Sequence, residues 1–204
     1  MVTSKMNHRK NIILLLFTGL IILIPLTVFA EGKNDMLYKF TKTDSTLSFY
    51  GSFTLNKSPA CLLEIFINFN HIKAMESDAK EVQLIDQGSN WNRIRYVYQK
   101  FIFFKNISVW KRKLDIEKQR LDYTLESSEY NVATLPKMIS FSGYYQVKNQ
   151  GKDIIVEYYQ YSQLAKSSIT NIYLNIVKNE AINFMKKLME YSNAKCSDKP
   201  MTGS

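Results

Sequence analysis

Residues 139–163 read ISFSGYYQVKNQGKDIIVEYYQYSQ, a stretch with five tyrosines and without histidine or cysteine. Its polar segment NQG, at residues 149–151, is typical of a hairpin turn. On either side, residues 138–148 and 152–163 are rich in aromatic and β-branched side chains. This pattern predicts two paired antiparallel strands.

Alternation along the second strand separates its tyrosines into two groups. If Glu157 faces solvent, Tyr158 points toward the interior, whereas Tyr159 and Tyr161 point outward. Three interpretations of the aromatic hairpin are open: a filled core, the wall of a cavity, or a stacking surface for nucleic acid.

A long amphipathic helix is predicted directly after the hairpin, over about residues 168–194. Apolar side chains recur there at helical spacing, and lysines interleave with them. The apolar members are Ile169, Ile172, Tyr173, Ile176, Phe184, Met185, Leu188 and Met189. This is the only predicted element long and apolar enough to cover one face of a sheet.

The upstream chain supplies the rest of the sheet. Residues 47–55 alternate between apolar and polar side chains, which predicts a half-buried strand. Ser58 and Pro59 then favour a helix start, so a helix is expected from Pro59 toward Met75. Further strands are predicted at residues 80–86, 92–104, 108–117 and 120–127.

The predicted order is therefore one strand, one helix, about six antiparallel strands and a final helix. The fold class is α+β, in a single domain over residues 46–196, with a curved antiparallel sheet covered by the final helix. Residues 31–45 are expected to form a loose lead-in, and residues 197–204 a flexible tail.

The N-terminal residues have the layout of a secretory signal peptide. Lys5, Arg9 and Lys10 precede an apolar run over residues 12–30, which ends in VFA. We expect residues 1–30 to be removed and the protein to be periplasmic or secreted. A retained membrane anchor is the alternative, because the run approaches the length of a membrane span.

Two cysteines follow this segment, Cys61 and Cys196. An even pair in an exported protein indicates a disulfide, here between the first helix and the end of the last one. Two free thiols are the alternative. Their spacing does not match a metal site.

Charge narrows the classes of partner. Lysine and arginine number 27 against 18 acidic residues, a formal net charge of +9. This surplus favours transient contact with an anionic membrane surface. It is far from the dense basic stripe of a nucleic-acid-binding protein, and export also argues against nucleic acid as a partner.

The element order and the C-terminal half of the chain resemble the START-like superfamily, also called SRPBCC or helix-grip proteins. This group holds the steroidogenic-acute-regulatory-related lipid-transfer domains, the polyketide cyclases and aromatases, and the plant pathogenesis-related allergens. The resemblance is carried by FSGYYQV at 141–147, by KDIIVEYYQYSQLAKSSITNIYLNIVKNEAINFMKKL at 152–188, and by YVYQKFIFFKNISVWKRKLD at 96–115. It spans about residues 47–195 and is similar to a bacterial lipid-transport or polyketide-cyclase-like branch.

This resemblance implies a helix-grip fold. The sheet would wrap around the C-terminal helix, a helical insertion would follow the first strand, and a cavity would lie between sheet and helix. Members of the group mostly bind hydrophobic ligands there, and a few catalyse cyclisation or related reactions. Lipid-transfer members often carry an arginine-aspartate pair where this chain has KNI at residues 105–107, so the chain departs from that branch.

Motifs for catalysis or for cofactors are missing from the sequence. His71 is the only histidine after the apolar run, and it is expected to be structural or solvated. Zinc, nucleophile-elbow and phosphate-loop motifs are absent. We therefore expect no metal and no cofactor, and we assign no catalytic residue.

Arg112 is the charged residue with the strongest indication of function. It shares a predicted strand face with Trp110, Leu114 and Ile116. On an inner face it would need an anionic or carbonyl partner, such as a lipid headgroup or a carboxylate. Alternatively, this face is the outer one, or Arg112 pairs with an acid of the protein.

Ten side chains are predicted to contact a ligand. Tyrosine combines an apolar ring with a polar hydroxyl, which suits a cavity for a greasy molecule with one polar group. The candidates are Tyr96, Tyr98, Trp110, Arg112, Tyr123, Phe141, Tyr145, Tyr158, Tyr173 and Met185. For each of them, filling of the core is the alternative.

Three functions remain open. The first is an exported, monomeric module that binds a lipid or other hydrophobic small molecule, with residues 163–168 and the C-terminal helix as its gate. The second is a cyclase- or dehydratase-type enzyme that uses the same cavity. The third is an envelope interaction protein whose cavity is filled by its own side chains.

Overall fold

The computed structural model describes residues 28–31, 36–100 and 104–197, so residues 12–27 of the predicted apolar run and most of the predicted tail lie outside it. Within these ranges, nine strands form one antiparallel sheet in the order β1-β2-β3-β9-β8-β7-β6-β5-β4. The elements are β1 (Val28–Glu31), β2 (Met36–Lys42), β3 (Thr46–Leu55), α1 (Pro59–Ile67), α2 (Phe69–Met75), β4 (Glu81–Gln87), β5 (Trp91–Lys100), β6 (Phe104–Asp115), β7 (Arg120–Tyr130), β8 (Met138–Gln150), β9 (Asp153–Leu164) and α3 (Thr170–Lys195).

The predicted helix-grip architecture is confirmed, because a curved antiparallel sheet is covered by a long C-terminal helix and by a helical insertion. The start of the chain differs from the prediction. Met36–Lys42 form a strand paired with β3, and not a loose lead-in. Met36 is buried in this strand while Leu37 and Lys39 are exposed, as expected of a strand with one covered face. Val28–Glu31, which includes the predicted cleavage site, pairs with β2.

The helical insertion is broken into two helices at Asn68, although a single helix was expected. Asn68 has an extended backbone (φ −70°, ψ 121°) and accepts a hydrogen bond from the amide of Asn70 at 2.9 Å. Asparagine competes for nearby backbone donors in this way, which favours caps over helix interiors. The break lets α1 and α2 pack on different strands.

The turn of the β8–β9 hairpin lies one residue later than expected. Gln150 pairs with Asp153, so the turn consists of Gly151 and Lys152. Gly151 has a φ of 62°, a left-handed conformation that glycine adopts without strain. Residues 149 and 150 belong to the strand.

Three helices cover the inner face of the sheet in the described residues. Helix α3 packs on β3 and β9, whereas α1 packs on β6, β7 and β8. At Gly51 of β3 the absent side chain makes room for Met185 of α3, since a Cβ there would lie 2.2 Å from its sulfur. This contact fixes the position of α3 along the sheet.

The buried stripe of α3 differs from the predicted one. It is formed by Thr170, Leu174, Val177, Ala181, Met185, Leu188 and Ser192. Ile172 and Ile176, predicted on the apolar face, are 62% and 47% exposed. The first turns of the helix carry apolar residues on more than one side, and only one side can face the sheet. Ile116 is also exposed, because β6 ends at Asp115.

A disulfide connects two distant parts of the chain. The sulfur atoms of Cys61 and Cys196 are bonded, which joins α1 to the end of α3 across 135 residues of sequence.

The pairing of β7 with β8 is short, because only residues 120–124 and 142–146 are in register. Beyond these pairs β7 continues alongside β6, and β8 alongside β9.

Candidate functional site

A row of side chains in register crosses the inner face at the centre of the sheet. It consists of Asn92, Arg112, Tyr123, Gly143, Gln160 and Phe49, on β5, β6, β7, β8, β9 and β3. The row is polar on β5 to β7 and aromatic on β3. Strand alternation places all of these residues beneath the helices.

Arg112 is the centre of the polar end of this row. Its side chain is buried, with only 6% of the residue exposed, and its Nη1 has no hydrogen-bond partner among the described residues. The positive charge of Arg112 acts on the hydroxyls of Tyr96, Tyr123 and Tyr145. Burial raises the pKa of each of these hydroxyls, and the charge of Arg112 partly offsets the rise.

Glu76 provides an acid close to Arg112. It caps the end of α2, and the Tyr98 hydroxyl donates a hydrogen bond to its Oε2 at 2.9 Å. Burial raises the pKa of this carboxyl, against the opposing effects of the Tyr98 hydrogen bond and of the charges on Lys187 and Arg112. Sequence reasoning missed Glu76; its position directly after the predicted end of the helix at Met75 was the available signal.

Asn92 is the second residue that sequence reasoning missed. It is only 2% exposed, and its Nδ2 donates to the carbonyl of Ile67 at 2.7 Å. That carbonyl is at the end of α1, where the break at Asn68 leaves it without a helical donor. The Oδ1 atom of Asn92 has no partner among the described residues.

The predicted cavity wall is a layer of aromatic rings in contact. Tyr145 stacks on Tyr123 and on Tyr158, with ring centroids 5.0 and 5.4 Å apart. Phe184 of α3 covers Tyr145 and Tyr158 at 5.5 and 5.6 Å. The rings fill the space between sheet and helix, so a ligand would have to displace some of them.

Gly143 allows Tyr123 to lie across β8. The Tyr123 hydroxyl donates to the carbonyl of Tyr159 on β9 at 3.0 Å. A Cβ on Gly143 would lie 2.1 Å from that carbonyl oxygen and 2.3 Å from the hydroxyl. Glycine is therefore required for this close approach.

The structure brings together most of the ten predicted residues. Tyr96 and Tyr98 stack at 6.2 Å on β5, and Trp110 meets Phe141 edge-on at 4.8 Å beside Tyr123. One candidate does not join this group, because Tyr173 packs with a separate cluster around Leu47 and Leu164. Met185 fills the space above Gly51 and belongs to the same core cluster as Tyr123, Tyr145 and Tyr158.

The outer face carries the tyrosines predicted to point outward. Tyr158 is 4% exposed, whereas Tyr159 is half-buried on the opposite face and stacks on Tyr144 at 5.5 Å. The guanidinium of Arg120 lies 3.8 Å from the centre of the Tyr144 ring. These contacts give the outer rings a structural role in the described chain.

Two clefts lie outside the inner face. One of 470 Å³ is lined by charged side chains of β4 to β7 and by Trp91, and in it Arg93 Nε donates to Glu126 at 2.7 Å. The other, of 200 Å³, follows the short β7–β8 pairing and reaches Tyr123. Among the described residues, no group of three or more His, Cys, Asp or Glu side chains could hold a metal ion.

Other long-range contacts are structural. His71 Nδ1 lies 2.9 Å from the Tyr191 hydroxyl, which links α2 to α3. Lys187 of α3 bonds Asp78, in the segment after α2. In the part of the chain that the structure describes, no helix has the length and apolar character to cross a membrane.

Comparison with known proteins gives matches in structure and none in sequence. The sequence matches no protein-family model and none of the curated proteins with which it was compared. The STAR-related lipid transfer protein of Xanthomonas axonopodis superposes with a TM-score of 0.61 at 10% identity, over 79% of this chain and 96% of its own. The lipid transfer and protein localization domain of human StarD13 superposes with a TM-score of 0.58 at 12% identity, over 86% and 90%.

A third solved structure, the Zhui aromatase/cyclase from a Streptomyces species, gives a TM-score of 0.58 at 10% identity, over 78% of this chain and 99% of its own. Identities this low carry information about the fold alone. Each of the three superposes over at least 78% of this chain. The chain therefore has the helix-grip fold.

Proposed function

We propose that this protein binds a hydrophobic small molecule, such as a lipid, between the inner face of the sheet and the helices. The observation that carries this proposal is the buried guanidinium of Arg112, whose Nη1 has no partner in the described chain. An unsatisfied buried donor costs about 1–3 kcal/mol. A ligand oxygen at this nitrogen would remove that cost, which makes binding favourable at this position.

The surroundings of Arg112 suit a molecule that is mostly apolar. Aromatic rings make up the layer next to it, and burial of apolar ligand surface contributes about 25 cal/mol per Å² before ordering costs. Two solved structures with this fold are named for lipid transfer, which supports the same class of ligand. Entry would require Phe184 and the tyrosines beneath it to move apart.

We also propose that the protein is exported and that its signal peptide is removed. The basic leader and apolar run support a signal peptide, and a disulfide is typical of an oxidising compartment. Cleavage after Ala30 would remove three residues of β1 and leave β2 as the edge of the sheet. N-terminal sequencing of protein purified from a native-like host tests this; an intact N-terminus in the membrane fraction would indicate the anchor instead. We also expect a monomer that contacts anionic membranes transiently.

The ligand itself is tested by extraction. Protein purified from a native-like host is extracted with organic solvent, and the extract is examined by mass spectrometry for a stoichiometric lipid. Delipidated protein is then titrated with the neutral fluorescent probe N-phenyl-1-naphthylamine. We expect saturable probe binding. Protein that yields no lipid and ignores both this probe and a panel of fluorescent lipids would overturn the proposal and favour a filled interior.

Variants locate the site. Arg112→Met should weaken binding of the extracted lipid about tenfold, corresponding to the loss of roughly one charge-assisted hydrogen bond. Arg93→Met, on the outer face, is the matched control and should leave binding unchanged. Equal affinity of the Arg112 variant and wild-type protein would remove Arg112 from the site.

A second candidate function is acid–base catalysis of the cyclase or dehydratase type. The hydrogen-bonded pair Glu76 and Tyr98 favours it, because burial holds the carboxyl toward its protonated form beside the aromatic layer. One solved structure with this fold is named an aromatase/cyclase. If a β-polyketone probe is converted by wild-type protein, Glu76→Gln should abolish conversion and retain probe binding. Unaltered recovery of the polyketone would reject catalysis.

A further inference from the structure

We propose that the polar end of the bound molecule is a neutral group that both donates and accepts a hydrogen bond, such as an alcohol or a primary amide, held jointly by Arg112 and Asn92. This inference rests on the proposed binding function and specifies the class of ligand. It excludes the anionic group that was one of the partners predicted for Arg112 from the sequence.

Two neighbouring residues carry unpartnered atoms of opposite type. Arg112 Nη1 can only donate, and Asn92 Oδ1 can only accept. The two residues are directly paired across β5 and β6 and both point beneath the helices, so their Cβ atoms are about 5 Å apart. Both residues are more than nine-tenths buried.

The orientation of the Asn92 amide is set by the protein. Its Nδ2 donates to the Ile67 carbonyl at 2.7 Å, so a flipped amide would place two oxygens against each other. The free atom is therefore the oxygen, an acceptor. A hydroxyl placed between the two residues would accept from Arg112 and donate to Asn92.

The electrostatic surroundings of Arg112 favour the same class of group. Glu76 already provides a carboxyl in the field of Arg112, and the Tyr98 hydroxyl donates a hydrogen bond to it. A ligand carboxylate would face the lone pairs of Asn92 Oδ1 and, whenever Glu76 is ionised, would also be repelled by its charge. A neutral donor–acceptor group satisfies both free atoms without either repulsion.

Ligands that differ only at one end test the proposal. Delipidated full-length protein is saturated with N-phenyl-1-naphthylamine at pH 7.5 and titrated with dodecanol, dodecanamide, dodecanoate and dodecane, each below its aggregation limit. We expect the alcohol and the amide to displace the probe about tenfold more strongly than the carboxylate and the hydrocarbon.

Two variants assign the effect to the site. Asn92→Leu should remove the advantage of the alcohol over the hydrocarbon while probe binding persists, and Arg112→Met should do the same if the first variant folds poorly. Asn106→Leu is the matched control. The Oδ1 atom of Asn106, on β6, is also buried without a partner among the described residues, but this residue pairs with Tyr98, away from Arg112. The Asn106→Leu variant should prefer the alcohol to the hydrocarbon as strongly as wild-type protein does.

The outcomes are distinguishable. Displacement by none of the four compounds, together with no probe binding, would overturn the proposed function itself. Strongest displacement by dodecanoate, or equal displacement by alcohol and hydrocarbon, would overturn this inference and leave the binding function standing. Persistence of the alcohol's advantage in both variants would also overturn it, because a bound water would then be the partner of Asn92 and Arg112.

Discussion

The two halves of the inner face differ in whether their buried polar side chains are hydrogen-bonded within the protein. Beneath α3, the strands β3 and β9 carry fully buried Phe49, Phe53 and Val156, and the polar side chains of β9 bond one another: the Tyr158 hydroxyl donates to Gln160 at 2.5 Å, and Gln160 to Ser162 at 3.0 Å. Beneath α1 and α2, by contrast, the strands β5 and β6 carry three polar atoms that are buried without a hydrogen-bond partner among the described residues: Asn92 Oδ1, Asn106 Oδ1 and Arg112 Nη1. The only other such atom in the described chain is Ser192 Oγ.

This contrast indicates a division of tasks. The half beneath α3 contributes packing and satisfied hydrogen bonds, which stabilise the fold. The half on β5 and β6 keeps polar atoms free at a cost in stability, and such costs are typical of sites that act on another molecule. The division can be tested by changing each half separately.

The largest effect is expected from Phe49→Ala in the first half. Phe49 is fully buried and contacts the rings of Tyr38 and Tyr158. Its loss should lower the free energy of unfolding by about 4 kcal/mol, through lost burial and a residual cavity. Urea denaturation followed by circular dichroism measures this. A loss below about 1 kcal/mol would contradict a stabilising role for this half.

Removal of the disulfide should have the next largest effect. The bond between Cys61 and Cys196 closes a loop with a sequence separation of 135 residues and joins helices over the two halves. The double variant Cys61→Ser/Cys196→Ser should lower the free energy of unfolding by about 3 kcal/mol. Comparison of non-reduced and reduced peptide maps verifies the bond in wild-type protein, and an unchanged melting temperature of the variant would exclude a stabilising role.

Two glycines of the sheet, Gly51 on β3 and Gly143 on β8, offer a matched pair. A methyl at Gly143 meets the rigid backbone carbonyl of Tyr159, whereas a methyl at Gly51 meets the flexible end of Met185. We expect Gly143→Ala to cost about 2 kcal/mol and Gly51→Ala about half as much, because a side-chain end can move and a paired strand cannot. The reverse order in thermal melting would contradict this reading of the contacts.

Arg112→Met tests the cost of the free guanidinium. Replacement of an imperfectly paired buried charge by an apolar side chain of similar length is often neutral or stabilising. The free energy of unfolding should therefore stay unchanged or rise by about 1 kcal/mol, even though ligand binding weakens. A fall of more than about 2 kcal/mol would show that Arg112 is mainly a structural residue.

The smallest effect concerns the pH dependence of stability. Burial raises the pKa of Glu76 above its unfolded value, so the native state binds this proton more tightly than the unfolded chain does. Stability is therefore lost as the pH rises from about 4, until the native carboxyl has ionised. Glu76→Gln should remove this loss, so its stability relative to wild-type protein should increase between pH 4 and pH 7.5 in urea titrations.

Exposed Glu117 provides the control for that experiment. Glu117 lies in the turn after β6, and Glu117→Gln makes the same chemical change at the surface. If Glu76→Gln shows no larger change in relative stability between the two pH values than Glu117→Gln, the environment of Glu76 does not disfavour its ionised form. The groups that face Glu76 and enter this balance are Tyr98, Lys187, Arg112 and Asp78.

Sequence periodicity predicted those features that depend on neighbours along the chain. Alternation placed Tyr158 inside and Tyr159 outside, and helical spacing located α3. It could not distinguish which side of α3 meets the sheet, so Ile172 was assigned to the covered face. Side-chain volume at facing positions decides this, as the fit of Met185 over Gly51 shows.

The polar half of the site could be predicted only in part. Arg112 was identified because it shares a strand face with apolar residues. Asn92 and Glu76 were missed because their importance comes from contacts across the fold, with the end of α1 and with Tyr98. A polar residue at the first positions of a strand, or directly after a helix, is normally solvated, and only tertiary packing reveals that these two are enclosed.

The short register between β7 and β8 divides the sheet into two plates. Among the described residues, the strand pairing that joins the plates β1-β2-β3-β9-β8 and β7-β6-β5-β4 is confined to residues 120–124 and 142–146, with one more backbone hydrogen bond from Val147 to Gln119. Rotation of these two plates about the short register would break the hydrogen bond from Tyr123 to the Tyr159 carbonyl and separate Tyr123 from Tyr145 and Tyr158, while the hydrogen bonds within each plate stay intact. The aromatic layer would thus open by bending of the sheet beneath it, while α1 and α3 remain joined by their disulfide.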